Sequence, residues 1–378
     1  MKALLLGCGV TGKEALRDLY HYGNFGEITV ATLTLANSAD FIRSLNGRPT
    51  RINHVTVDAA DTDAVAFLMK GCGVAVNCAG PNFKYELPVA LAAIKSRVPL
   101  VDVNDEYEIT HKMYDLDEAA KEAGIPVIFG LGGCPGIDNV LVRTAADQLD
   151  EVEEIHTAWV MSGADPGGPA LSYHLLYSLS DKAWTVEDGV MKEVRSFIDG
   201  GEVLEFPDPI GKAEVFHIGH PEPVTLSRSF PSARIVDNKA TFIPPAVNRY
   251  ILELGKLARE DSGTCSLNGS PCDAMDFAAA SLLEKCKEIR DVPLEAGLMV
   301  SLKGRKKGKT KKIVFSSVGR LGSATGVPAS IGAIMIARGK INMTGAMPPE
   351  ICIEPHDFLY EVLDRRNLAR LNGWIEDL

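Results

Sequence analysis

What the chain lacks narrows its chemistry before any motif is read. None of its 378 residues falls in an uninterrupted apolar run approaching roughly 18 positions, so the sequence carries no membrane span. Positive charge is in deficit: 39 lysines and arginines against 50 acids give a net charge of −11. That balance argues against nucleic acid or an anionic membrane as the main partner. The one basic cluster, Lys303, Arg305, Lys306, Lys307, Lys309, Lys311 and Lys312, has no interleaved aromatics and reads as a solvated hairpin tip. The eight cysteines (Cys8, Cys72, Cys78, Cys134, Cys265, Cys272, Cys286 and Cys352) include no CxxC and no paired metal spacing. They read as reduced thiols, mostly buried as small hydrophobes, and no metal is expected. Repeats and low-complexity segments are missing too. Lys2 followed by LLLGC mimics a lipoprotein signal, but its apolar part is shorter than the about 7–15 residues such a signal needs. The expected location is the cytoplasm.

What is present starts with MKALLLGCGVTG. Ala3-Leu4-Leu5-Leu6 is short and wholly apolar, as a parallel strand covered on both faces must be. Gly7, Gly9 and Gly12 follow at GxGxxG spacing, with Val10 and Thr11 between them, and Lys13 to Leu19 reads as a helix. This order of strand, glycine turn and helix is the one a dinucleotide needs. Gly7 permits the tight turn, Gly9 admits the pyrophosphate and Gly12 lets the helix lie close to the strand. The diphosphate then rests on the helix N-terminus.

Further strands are expected at 27–33, 53–58, 74–81, 99–103 and 126–129, with helices at 61–70, 86–96 and 111–123. The alternation defines a doubly wound parallel sheet, a Rossmann fold. The second strand closes on Thr32-Leu33, where a carboxylate would hold the ribose of NAD and an arginine the phosphate of NADP. Neither is there. The missing acid leans the reading to NADP, with Arg43, Arg48 or Arg51 folding back, although threonine hydroxyls would also tolerate either nucleotide. Asp58 is placed to meet the adenine or else only begins a turn. Cys78, Ala79 and Gly80 close the fourth strand beside the nicotinamide half.

After Gly130 the pattern changes to successive strands (155–161, 191–197, 212–218, 224–226, 234–243, 297–302 and 311–318) with helices near 170–180, 247–259 and 274–290. Such a run suggests a mostly antiparallel sheet with helices on one face, an α+β domain. From Pro328, Ile331, Ile334, Met335 and Ala337 have helical spacing, and a last helix is expected at 355–364.

Five stretches carry a resemblance: MKALLLGCGVTGKEALRDL, VNCAGP, GGCPGIDN at Gly132–Asn139, AEVFHIGHPEPVTLSRSFP and GVPASIGAIMIARGKI. In this order they resemble the saccharopine dehydrogenase superfamily, and the fourth is more similar to lysine 6-dehydrogenases than to saccharopine reductases. The resemblance implies a Rossmann domain of residues 1–130 completed by 325–378, an inserted substrate-binding and dimerisation domain of 131–324, and a homodimer. It also implies pyridine-nucleotide chemistry at a carbon bearing an amine, in a cleft lined by the loop after the fourth strand, the Asp102 loop and the PGI loop. Two departures stand out. Cys134 replaces the Asp general among saccharopine reductases, and Thr32 replaces an acid usual in lysine 6-dehydrogenase-like chains.

Oxidising an amine requires removing a proton before hydride leaves, which a base with a pKa near 7 serves best. His217, in the FHIGHP segment with His220, is the histidine chosen for it, against the alternative of a hydrogen bond within the fold. Arg228 offers paired donors to an α-carboxylate, or else makes a structural ion pair. Asp102 closes the fifth strand where it would hold a substrate ammonium, or else caps the next turn. Tyr85 and Tyr107 read as packing residues. A thiol nucleophile at Cys78 or Cys134 would need an adjacent base that the sequence does not supply. The expected function is therefore NAD(P)-dependent oxidation of an amine, or reduction of an imine, on an amino-acid substrate. The alternative is a nucleotide-binding sensor without turnover.

Overall fold

The computed structural model describes residues 1–165, 167–259, 264–267, 270–365 and 369–378. In chain order the elements are β1 (Lys2–Leu6), α1 (Val10–Tyr22), β2 (Glu27–Thr32), α2 (Ala36–Ser44), β3 (Arg51–Thr56), α3 (Thr62–Met69), β4 (Val74–Asn77), α4 (Asn82–Ser96), β5 (Leu100–Asp102), α5 (Tyr107–Tyr114), α6 (Asp117–Ala123), β6 (Pro126–Ile128) and α7 (Ile137–Ala146). There follow β7 (Glu151–Ser162), α8 (Pro169–Ser178), β8 (Lys182–Glu187), β9 (Val190–Arg195), β10 (Glu202–Phe206), β11 (Gly211–His217), α9 (Glu222–Ser229), β12 (Ile235–Ile243), α10 (Ala246–Ala258), β13 (Thr264–Leu267), β14 (Ser270–Asp273) and α11 (Ala274–Lys287). The chain closes with β15 (Ala296–Lys306), β16 (Lys309–Gly319), α12 (Leu321–Ala337), β17 (Gly345–Met347), α13 (Pro349–Cys352), α14 (Pro355–Asp364) and β18 (Ala369–Asp377).

Two compact units result, Met1–Val140 with Gly322–Leu368, and Leu141–Leu321 with Ala369–Leu378. The first holds a parallel sheet in the order β17-β6-β5-β4-β1-β2-β3. Ala3 to Leu6 are fully buried because helices cover both faces of that sheet. The strand order reverses beside β1, between β1 and β4, which opens the crevice in which a doubly wound sheet binds its ligand. Helix α12 is apolar nearly all round and buried, as a helix enclosed by protein must be. A Cβ on Gly326 would strike the Thr11 carbonyl, so α12 crosses α1 backbone to backbone at that glycine.

The second unit carries a sheet whose main path runs β10-β11-β12-β7-β15-β16-β18, with β8 and β9 attached to β12. Among the described residues only β12 and β7 pair in parallel; the other pairings in this sheet are antiparallel. Helices α8, α10 and α11 pack on one another, and α9 and α10 pack on β12.

Four expectations are corrected. Val224 to Leu226 is helix, not strand, because Pro221 and Pro223 pre-set the φ of a first helical turn, giving α9. The region 111–123 is two helices, broken at Asp115-Leu116. The last residues, expected with the first domain, extend the second sheet as β18 along β16. Cys272 is disulfide-bonded rather than reduced, on a two-stranded ribbon whose register sets it opposite Cys265. Among the described residues, no helix is long and apolar enough to cross a membrane.

Candidate nucleotide site

The glycine turn divides its labour unequally. Gly7 sits at φ +79°, and a Cβ there would lie 2.5 Å from the Cys78 carbonyl oxygen, so the β1 and β4 loops touch backbone to backbone. A Cβ on Gly12 would strike the Gly7 carbonyl, which holds α1 against the turn. Gly9 differs: a Cβ there would meet nothing within 4 Å. Its hydrogen therefore faces open space at the N-cap of α1, where no side chain caps the helix and no acid occupies the first turn. The amides of Val10, Thr11 and Gly12 are among the donors that a helix leaves unbonded, and with the helix dipole they suit a diphosphate. The turn thus fits a dinucleotide on its own geometry.

At the end of β2, Thr32 Oγ1 lies 3.3 Å from His54 Nε2, and Ser38 Oγ lies 3.1 Å from the same nitrogen. Desolvation lowers the pKa of His54, so the imidazole is neutral and brings no cation to this corner. Leu33 projects outward, 62% exposed. Among the described contacts, none brings the arginines expected to fold back to Thr32. Arg43 pairs with Asp40 in the last turn of α2, and Arg48 is held through its backbone by the Tyr20 hydroxyl. Arg51 opens β3 and bonds Asn53, about 16 Å of strand before Thr56, the residue paired with Thr32. Asp58 is exposed beyond β3, where its carboxylate accepts from Ala60 N at 2.9 Å and closes a turn.

Beside the turn, Asn77 and Asp102 end β4 and β5 side by side. Asn77 Nδ2 donates to Asp102 Oδ2 at 2.6 Å, Asn77 Oδ1 accepts from Ala79 N, and Asp102 Oδ1 accepts from Asn104 N at 2.8 Å. Asp102 is fully buried, and desolvation raises its pKa to about 7 against the lowering effect of those two hydrogen bonds. Glu86, on α4, was not singled out in the sequence. It is fully buried, both carboxyl oxygens lack a hydrogen bond among the described residues, and desolvation together with Asp102, Glu106 and Asp105 pushes its pKa well up. Its signal was present, since Glu86 shares helical spacing with the buried Val89, Ala90 and Ala93. Burial also raises the pKa of the Cys78 thiol, so it is not an activated thiolate.

Asp102 belongs to the first unit, and His217 and Arg228 to the second. His217 pairs in register with Lys239, on the sheet face that carries Asp237 and Lys239. A Cβ on Gly200 would strike its ring, and desolvation lowers its pKa. His220 takes the other face, where its ring packs on Trp159, a neighbour of Phe242. There His220 Nδ1 meets the buried carboxylate of Glu222 at 2.8 Å. The two histidines of FHIGHP are therefore not one cluster. Arg228 is exposed in the last turn of α9.

Residues 3–128 match the family described as the saccharopine dehydrogenase NADP binding domain. The first unit carries that domain. Carboxyaminopropylagmatine dehydrogenase of Synechocystis is 23% identical over a 386-position alignment, covering 95% of this chain and 94% of the relative. The saccharopine dehydrogenase (L-Glu forming) of Saccharomyces cerevisiae matches with a TM-score of 0.69 and 15% identity over 99% of both chains, which establishes a shared fold. The resemblance read in the five stretches is borne out. Over its length the chain is similar to saccharopine dehydrogenase-like, NAD(P)-binding oxidoreductases.

Proposed function

We propose that the protein transfers hydride between NAD(P) and the carbon of a C–N bond in an amino-acid-derived amine, oxidising the amine or reducing the corresponding imine. The observation that carries this reading is Asp102: a carboxylate at the cofactor-side end of β5 with a pKa of about 7, the value a proton acceptor for an ammonium needs at neutral pH. Relatives are named for compounds of this kind, carboxyaminopropylagmatine and saccharopine. When bound, the nicotinamide supplies or takes the hydride. Asp102 holds the substrate nitrogen and takes its proton, with Asn77 fixing the carboxyl orientation. A guanidinium such as that of Arg228 has the paired donors that suit a substrate carboxylate. His217, enclosed by Gly200 and neutral, has the surroundings of a structural residue, so the proton role passes to Asp102.

NADP is the proposed preference, because Thr32 stands where an acid would repel a 2′-phosphate, none of residues 33–39 is an acid, and the family matched by residues 3–128 is named for NADP. The protein is proposed to act in the cytoplasm as a homodimer on small molecules, with no nucleic-acid or membrane partner. Titration with NADPH and NADH, followed by a screen of amino acids and of amine–carbonyl mixtures for nicotinamide absorbance change, tests the reading. Binding with turnover supports it. Binding without turnover of any amine or imine would instead favour a sensor.

A further inference from the structure

The second unit's sheet ends in an open strand. β18 closes the main path of that sheet, and no further strand flanks it among the described residues. It follows β16 in unbroken register, from Lys311 beside Asp377 to Gly319 beside Ala369. Residues 372–378 are all exposed, Trp374 at 42% and Ile375 at 56%. Edge strands are ordinarily blunted by proline, by lysine or by a bulge. β18, ARLNGWIED, has none of these.

One hydrogen bond fixes which backbone groups this edge presents. Leu378 N donates to Thr310 O at 3.2 Å, and these two residues continue the β16–β18 register. Because an antiparallel ladder alternates, Arg370, Asn372, Trp374 and Glu376 turn their N–H and C=O groups to β16. Leu371, Gly373, Ile375 and Asp377 turn theirs outward.

We propose that two copies of the chain join edge to edge, β18 pairing antiparallel with β18 of the partner subunit about a twofold axis at Gly373. This pairing rests on the homodimer reading above and supplies its surface. About that axis the strand is complementary to itself, as a twofold contact requires. Gly373 faces its own copy with no side chain to collide, and it exchanges N–H and C=O bonds with that copy, as Leu371 does with Ile375 of the partner subunit. Leu371 and Ile375 are apolar and share a face with the Phe315 ring, which a Cβ on Gly373 would strike. Arg370 stands opposite Glu376 of the partner subunit, and the match occurs twice. These positions exchange no backbone bonds, so their side chains come closest. Moving the axis to Asn372 or Trp374 sets Arg370 against Trp374 or Leu378 and loses the match. The opposite edge, β10, carries Glu202 and Glu205 and no cation, so it offers no such complementarity.

Sedimentation equilibrium of the full-length protein over a concentration series measures the dimer dissociation constant. Arg370→Glu and Glu376→Arg each set like charges opposite one another twice, and each should weaken the dimer at least about tenfold. Arg370→Glu combined with Glu376→Arg restores the opposite charges and should return the constant to within about threefold of wild type. Within one chain these positions lie roughly 20 Å apart along the strand, so only contact between copies produces that rescue. Both side chains are exposed, and the charge variants keep the fold. Ile375→Pro deletes an outward N–H without touching the β16 ladder and should weaken the dimer as well. A dimer that none of these changes weakens, or single variants that the combination does not rescue, would overturn the β18 interface and leave a homodimer built on another surface. A monomer at every concentration would overturn the homodimer and the interface together.

Discussion

Asn77 Nδ2 and Asp102 Oδ2 stand 2.6 Å apart at the carboxyl ends of adjacent parallel strands, both fully enclosed. The hydrogen bond favours the ionised carboxylate, burial opposes it, and burial wins, leaving Asp102 at about 7.

A folding consequence follows from the sign of that shift. Below about pH 4, Asp102 is protonated in both folded and unfolded chains and costs nothing. Between pH 4 and 7 the unfolded chain releases its proton first, so stability falls as pH rises, by at most on the order of 4 kcal/mol for this one group. Denaturation of wild type and Asp102→Asn across pH 4–8 should show the wild type losing stability relative to the variant over that window. Parallel curves would mean that Asp102 titrates normally. In activity, Asp102→Asn should cost about 10²–10⁴ in kcat and abolish the rise in rate through pH 7.

Glu86 is an orphan. Replacing it with Met, similar in volume and free of polar donors, should stabilise the protein by about 1–3 kcal/mol at pH 7. The gain should shrink below about pH 4, where the unfolded carboxyl is protonated as well. Urea denaturation at both pH values measures it, and a destabilised Glu86→Met at pH 7 would show that the carboxyl finds a partner in solution.

Gly9 and Gly12 should behave differently under the same change. Gly12→Ala drives a methyl into the Gly7 carbonyl and should lower the thermal midpoint of the apoprotein. Gly9→Ala puts its methyl in open space, so the apoprotein should melt as wild type does. Its NADPH affinity should fall at least about tenfold, because the methyl occupies the approach of the pyrophosphate. Equal affinity in Gly9→Ala would remove the diphosphate from this turn.

Far from the turn, Arg365 donates to the buried Asp18 at 2.9 Å and covers the Tyr22 ring at 4.0 Å, while Ser330 donates to the other Asp18 oxygen at 2.6 Å. This network fastens the C-terminal helices to α1. Arg365→Ala should cost about 3–5 kcal/mol, since it strands a buried carboxylate. Arg365→Ala with Asp18→Leu should recover much of that loss; no recovery would mean that the arginine acts by packing alone.

The parallel sheet was legible in the sequence because each strand is an apolar run ended by a glycine, proline or polar turn, and the glycine turn named its ligand class. The second sheet was legible only in outline. Its β10 and β18 are polar and exposed on one side, so they carry no apolar run, and α9 hid behind the β-branched Val224 and Thr225. Among site residues, Asp102 was found because a strand end is a position that sequence can locate. Glu86 was passed over because a buried carboxyl looks like any helix-surface acid until its neighbours are known. His217 was preferred to His220 because two residues of spacing do not reveal which face of a sheet, or which side of a strand's end, each will occupy.

The most direct measurement of the central claim is deuteride transfer. NADPH carrying deuterium at C4 is mixed with the protein and with imines formed from an amino acid and an aldehyde or keto acid, and the product is read by NMR. The account predicts deuterium at the carbon bonded to nitrogen, lost in Asp102→Asn. Deuterium appearing at a carbon bonded to oxygen, or no transfer to any imine by protein that binds NADPH, would contradict it.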